Sequence, residues 1–307
     1  MTARVPRVRR AFDIEGETVV LVREGVSIAF YVPLPHEVIA PAVWRALEHY
    51  RQSLGSRRLG WYVNASGDWP ELDAKGEAVL RTELLGSSAL VELAERPDSV
   101  TGVSFRYNGR GSELPNFLKD YPQSTCAVEF WLPIEFLEDP GPEWVRALAL
   151  ELGRELPWAS GHAGLALEVG SWVPALRPGL LEACLRHPGF DLPWLRTLAM
   201  CLGTRVRPPS WLTFLGPPVL EALGGAEGLR ARLHSPATEV QSLSPERAVV
   251  SMRPVPEAGD LETGDTLPHY RELARVLEPW LYAHPGEWGE WGGFTHEEVR
   301  RWERRFL

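Results

Sequence analysis

Thr18-Val19-Val20-Leu21-Val22-Arg23-Glu24-Gly25-Val26-Ser27-Ile28-Ala29-Phe30-Tyr31-Val32 decides the class of fold, because two β-rich runs meet here across a charged tripeptide that ends in glycine. Runs of β-branched and aromatic residues suit the pleated, half-buried surface of a strand. Arg23-Glu24-Gly25 has the length and the glycine of a hairpin loop with a bulge, so 18–22 and 26–32 are expected to pair antiparallel. Pro35 and Pro41 then flank a loop. Pro41 stands where a proline opens a helix, ahead of Val43, Trp44, Leu47 and Tyr50 at helical spacing.

The same grammar returns about a hundred residues later. Ile28-Ala29-Phe30-Tyr31-Val32-Pro33-Leu34 parallels Val128-Glu129-Phe130-Trp131-Leu132-Pro133-Ile134, and the helix after Pro41 parallels one after Pro142. Strand, proline and helix is also a common order, so duplication and coincidence both stay open. If duplicated, the halves run about 16–120 and 121–307. No linker rich in Ser, Gly or Pro divides the chain, which is expected to form a single compact domain over 1–307.

Working outward, 89–93, 100–107 and 165–169 are strand-like, with Asn108-Gly109 as a turn signal. Residues 238–241 and 248–252 flank Ser244-Pro245-Glu246 as a second hairpin. Helices are expected over 178–185, over 219–233 broken at Gly224-Gly225, and over 269–278 stopped by Pro279. Thr295 and Glu298 have capping-box spacing, with Phe294 and Val299 placed as a hydrophobic staple. Strands outnumber clean strand-helix-strand crossovers. The expected class is therefore α+β: a mostly antiparallel or mixed β-sheet flanked by helices.

A 44% share of hydrophobic residues supplies a core and argues against disorder. The formal charge of -9 disfavours nucleic acid or an anionic membrane surface as partner and suits a basic protein. Cys126, Cys184 and Cys201 are too few and too far apart for a disulfide framework or a metal knuckle, and are expected to be buried thiols in a reducing compartment. Residues 1–13 carry four arginines but no apolar run of signal-peptide length, and no segment approaches the roughly 18 uninterrupted apolar residues of a membrane span. The expected location is cytoplasmic.

The search for chemistry yields little. His36-Glu37 and His296-Glu297 lack the second histidine of a zinc-peptidase helix, so both histidines are expected at the surface or at caps. Asn108-Gly109-Arg110-Gly111-Ser112 lacks the third glycine of a dinucleotide site and the lysine of a phosphate loop. No serine sits in a nucleophile elbow. His162, between glycines, is the best isolated candidate for chemistry, with a structural histidine at a strand entrance as the plainer reading. No catalytic residue, metal ligand or cofactor is assigned.

Glu257, Asp260, Glu262 and Asp265 form an acidic loop without the carboxylate ladder of a calcium loop. It is either simply solvated or a contact for a partner's basic residues. Trp288 and Trp291, in Gly286-Glu287-Trp288-Gly289-Glu290-Trp291-Gly292-Gly293, and Trp69, beside Asp68, are candidate interface anchors or covers of the parent fold.

Four phrases occur in order: Ser160-Gly161-His162-Ala163-Gly164-Leu165, His187-Pro188-Gly189-Phe190-Asp191, Trp211-Leu212-Thr213-Phe214-Leu215-Gly216-Pro217-Pro218 and Leu267-Pro268-His269-Tyr270-Arg271-Glu272-Leu273. With Phe130-Trp131-Leu132-Pro133 and the closing Arg301-Trp302-Glu303-Arg304-Arg305-Phe306-Leu307, the chain resembles a bacterial family first catalogued as a domain of unknown function and then described as type VI secretion immunity proteins. The resemblance implies a cytoplasmic protein that binds a cognate toxin, encoded by an adjacent gene, and neutralises it by occlusion without turnover. On that reading Glu257, Asp260, Glu262, Asp265, Trp288 and Trp291 are the toxin-binding candidates. The alternatives are an enzyme that reverses toxin damage through His162, and an adaptor of the secretion apparatus.

Overall fold

The structure is a computed structural model that describes residues 5–14, 16–97, 99–113, 121, 123–170, 177–284 and 294–307. Strand β1 (Arg10–Ile14) pairs antiparallel with the start of β2 (Glu17–Val32), Asp13 opposite Thr18. β2 is one uninterrupted strand, which corrects the hairpin expected over 18–32. The would-be turn stays extended because two of its residues have partners far away in sequence. Glu24 is buried and accepts hydrogen bonds from Arg7 (3.1 Å) and Arg9 (3.0 Å). Gly25 is needed for close approach: a Cβ there would stand 2.3 Å from Trp131 Cζ2 and 2.6 Å from the Leu132 carbonyl oxygen.

Helix α1 (His36–Ser53) starts before Pro41, which lies inside it, so the expected start is also corrected. Pro41 forgoes the one bond its N–H would give to Glu37's carbonyl. The burial of Ile39, Val43, Ala46, Leu47 and Tyr50 on one face holds the helix regardless. β3 (Trp61–Tyr62) follows, then α2 (Ala74–Leu84), whose N-terminus is capped by Asp73 Oδ1 accepting from Lys75 N and Gly76 N. β4 (Ala89–Ala94), β5 (Ser104–Gly109) and β6 (Cys126–Pro133) come next, then a 3-10 turn (Ile134–Leu137) and α3 (Pro142–Glu155) with proline in its first turn.

Asn108-Gly109 ends β5 and makes no turn, Gly109 pairing with Ala89. A Cβ on Gly109 would meet His36 Nδ1 at 2.5 Å. His36 opens α1, the helix-end alternative of the expectation, but it is buried and not at the surface, its Nδ1 2.7 Å from the Tyr107 hydroxyl.

The rest of the chain forms β7 (Ser160–Val169), α4 (Arg177–Arg186), α5 (Leu195–Cys201), β8 (Leu212–Leu215), α6 (Val219–Ala222), α7 (Gly225–Arg230), β9 (Thr238–Ser244), β10 (Arg247–Met252), α8 (Pro268–Leu277) and α9 (His296–Glu303). The break at Gly224-Gly225, the β9–β10 hairpin and the Thr295–Glu298 capping box all form as the sequence indicates. The fold is α+β, and its strand ladders are antiparallel. No helix among the described residues is long and apolar enough to cross a membrane.

Two compact units emerge. One comprises 25–159 and 194–204; the other comprises 1–24, 160–193 and 205–307. In the first, β3, β4, β5, β6 and the Gly25–Val32 part of β2 are neighbours in that order. Tyr50 of α1 packs edge-on to Phe130, and Phe130 tilts against Phe105, giving the core on one face of this sheet. Ala29 lies opposite Glu129, the two positions that the sequence parallel also equates. Their helices are tied by Arg45–Glu155 (2.8 Å) and His49–Glu151 (2.9 Å). In the second unit the ladder runs β7, β8, β10, β9.

Candidate functional site

The ordered phrases converge inside the second unit. His162 projects from β7, where it pairs with Thr213 of β8. Asp191 is stitched beside β7 by backbone bonds to Leu165 and Leu167, at 2.9 Å each. Its carboxylate accepts from Arg207 Nη2 at 2.9 Å and Arg305 Nη2 at 3.4 Å, and lies 3.4 Å from His162 Nε2. Glu303 of α9 accepts from the backbone N–H of His284 (3.0 Å) and stands 3.8 Å from Arg207. Both guanidiniums lie over the Trp302 ring, at 5.0 and 4.3 Å. The glycines of these phrases serve close packing: a Cβ on Gly164 would strike Ser210 Oγ at 2.1 Å, and one on Gly189 the Glu257 carbonyl oxygen at 2.0 Å.

This network is sealed. His162 is 2% exposed and Asp191 6%. Burial, reinforced by Arg207 and Arg305 against the pull of Asp191, holds His162 down to about 4, so the imidazole is neutral at neutral pH. Burial pushes Asp191 up, but Arg207, with His162 and Arg305 behind it, pulls it further down, and the net is a carboxylate below its ordinary range. Glu303 is pushed up to about 7 by burial, against Arg207. Two guanidiniums, Arg207 and Arg305, thus face Asp191 and Glu303 in the interior, the arrangement of a buried ion network.

The acidic loop is partly engaged with its own unit. Arg186 donates to Asp260 through Nε (3.0 Å) and Nη2 (2.8 Å), and its Nη1 lies 2.7 Å from Glu262. Glu257 lies 2.9 Å from His269 Nε2 and 3.3 Å from Arg253 Nε. Asp265 bonds backbone to backbone with Asp260. The loop therefore gathers Asp260, Glu262 and Asp265, sets Glu257 apart, and leaves Glu262 and Asp265 exposed. Trp288 and Trp291 lie outside the described residues. Cys126 and Cys184 are buried free thiols, while Cys201 is half-buried. No group of three or more His, Cys, Asp or Glu among the described residues could hold a metal ion.

A surface suited to a partner occurs in the first unit. The face of β4 and β5 opposite the aromatic core carries Leu90, Glu92, Arg106 and Asn108, with Leu90 opposite Asn108 and Glu92 opposite Arg106. The segment Val63-Asn64-Ala65, Glu83 of α2, and Leu195 and Arg196 of α5 complete a groove of about 340 Å³. Trp69, half-buried, sits on the loop that continues from that segment. A row of polar contacts runs inward from the groove: Glu92 to Arg106 at 3.1 Å, Arg106 to Glu129 at 3.4 Å, and Ser27 Oγ to Glu129 at 2.6 Å. Leu90, 49% exposed, lies on the floor. Sequence reasoning missed this groove. Its one signal was the alternation Leu90, Glu92 against Val91, Leu93, which assigns the first pair to an outer face.

The sequence profile of the TsiV family, described as type VI immunity for VRR-NUC, matches residues 42–306. The solved structure of the Pseudomonas aeruginosa T6SS protein PA0821 is similar in fold, with a TM-score of 0.75 and 18% identity over 96% of this chain and 87% of that one. No curated protein sequence matches the chain.

Proposed function

We propose that this chain, which belongs to the TsiV family of type VI immunity proteins, neutralises a VRR-NUC nuclease by binding it one to one, without turnover. The observation that carries this reading is the family match over 42–306. The physical properties agree with it. A nuclease has to hold the phosphate backbone and so presents cationic surface. A chain of formal charge -9 attracts such a surface over a distance, which speeds capture. The exposed carboxylates of Glu262 and Asp265 are assigned to this steering.

The site of action follows from the target: the nuclease damages nucleic acid inside the cell, so its antidote works in the cytoplasm. The histidine that an enzyme could have used is neutral and enclosed by charged partners, which favours binding over catalysis. The test is co-purification with the product of the adjacent gene, followed by titration of that product's DNA cleavage with the immunity protein. Cleavage is expected to cease at one equivalent. Protection at a small fraction of an equivalent would overturn the binding reading.

A further inference from the structure

We propose that the groove on the outer face of β4 and β5 seats a mixed-charge segment of the nuclease: an apolar side chain over Leu90, a basic group at Glu83 and an acidic group at Arg196. The proposal rests on the immunity reading and names the contact surface within it. The first argument is where apolar surface is left open. Six large apolar side chains are exposed among the described residues, and five of them, Leu34, Val38, Val79, Leu85 and Leu90, belong to the first unit. Apolar surface gathered in this way and rimmed by polar groups marks the part of a protein that a partner covers. Of the five, Leu90 lines the groove. Its volume of about 340 Å³ lies at the small end of ligand sites, which run roughly 300–1,000 Å³, and fits one or two inserted side chains.

The second argument is charge. Two carboxylates, Glu83 and Glu92, and two guanidiniums, Arg106 and Arg196, line the groove, so its formal charge is balanced. Glu92 and Arg106 already face each other at 3.1 Å on the floor. Glu83 and Arg196 remain, and neither has an ion partner among the described residues. They belong to different sides. Glu83 reaches the β4 side, where its Oε1 accepts from Leu90 N at 3.4 Å, whereas Arg196 lies in the first turn of α5, which packs over β5 and β6. Burial pushes the Glu83 carboxyl up, against that backbone bond. An occupant of one sign would satisfy one of these two groups and be repelled by the other. An occupant carrying both signs answers both, its cation toward α2 and its anion toward α5, while its apolar part brings Leu90 out of water.

The test measures the affinity of the adjacent gene's product for the wild type, Leu90→Arg, Glu83→Gln and Arg196→Gln, with light scattering of each protein alone. All three positions are exposed or half-buried. Circular dichroism melting checks the fold, and Leu90→Ser takes the place of Leu90→Arg should the latter melt early. Leu90→Arg is expected to weaken binding about 100-fold, and Glu83→Gln and Arg196→Gln about 5-fold each. Arg196→Gln discriminates between occupants, because a purely basic one would bind this variant more tightly. Unchanged or tighter binding by either Gln variant would overturn the mixed-charge occupant, and wild-type affinity in the Leu90 variant would overturn the groove assignment; both results leave the immunity reading intact. No binding by the wild type would overturn that reading as well. If Leu90→Arg instead dissociates a dimer of this chain without loss of toxin binding, the groove belongs to a second copy and the proposal fails.

Discussion

His162 Nε2 stands 3.4 Å from Asp191 Oδ2 with both side chains out of solvent, so the imidazole sits in a field where one carboxylate opposes two guanidiniums. Its neighbour in the same network, Glu303, is displaced in the other direction. These displacements give stability terms of opposite slope. His162, depressed from 6.5 to about 4, contributes stability that is present above pH 6.5 and lost as the pH falls towards 4. Glu303, raised from 4.5 to about 7, contributes stability that is complete below pH 4.5 and lost as the pH rises through 7.

Between pH 4.5 and 6.5 the two slopes cancel in the wild type. Glu303→Gln keeps the carbonyl that accepts from His284 N–H and deletes one slope. Relative to the wild type, the variant is expected to gain about 3 kcal/mol between pH 4.5 and 7.5, read from urea unfolding at a series of pH values. A pH profile parallel to the wild type's would show that Glu303 does not titrate in this window.

Asp191→Asn leaves Arg207 and Arg305 buried beside a neutral group. Removing one member of a buried ion network costs about 3–5 kcal/mol, because the remaining charge keeps its desolvation cost without its partner. Glu278→Gln, which removes the exposed partner of Arg304, is the control and should barely move the denaturation midpoint. Equal effects of the two substitutions would mean that the network is open to water.

Gly25→Ala tests the continuity of β2. The added methyl would lie 2.3 Å from Trp131 Cζ2 and 2.6 Å from a backbone carbonyl, and only the first of these could yield. The expected loss is about 1–3 kcal/mol, measured by thermal unfolding, with Gly16→Ala as a comparison whose cost is conformational since its Cβ meets nothing within 4 Å. An unchanged melting temperature for Gly25→Ala would return the position to a turn.

What the sequence made legible was local. The β9–β10 hairpin and the Thr295–Glu298 capping box depend on residues within a few positions of each other, and both form. Arg23-Glu24-Gly25 looked like a turn because the partners of Glu24 and Gly25, namely Arg7, Arg9 and Trp131, are 15 or more positions away. His36 was legible as a helix-end residue but not as a buried one, because Tyr107, 71 residues on, covers it. The family phrases were visible, but what they encode is interior: close-approach glycines and a charge network in the second unit. A groove formed by β4, β5, α2 and α5 brings together side chains spread from Val63 to Arg196, and no linear pattern announces it.

The acidic loop separates steering from holding. Arg186 engages Asp260, holding its carboxyl below the ordinary range through direct hydrogen bonds, and also pairs at 2.7 Å with Glu262, while Glu262 and Asp265 stay exposed to solvent. Replacing Asp260, Glu262 and Asp265 by Asn, Gln and Asn removes three negative charges from a surface that the proposed function assigns to long-range attraction. Long-range charge acts on encounter, and its influence fades beyond a Debye length of about 8 Å at physiological salt. Stopped-flow association with the nuclease is therefore expected to slow about 3-fold at low salt, with dissociation unchanged and the difference gone at high salt. Faster dissociation in this triple variant would place the loop within the contact itself, where Asp260 would have to exchange Arg186 for a cation of the partner.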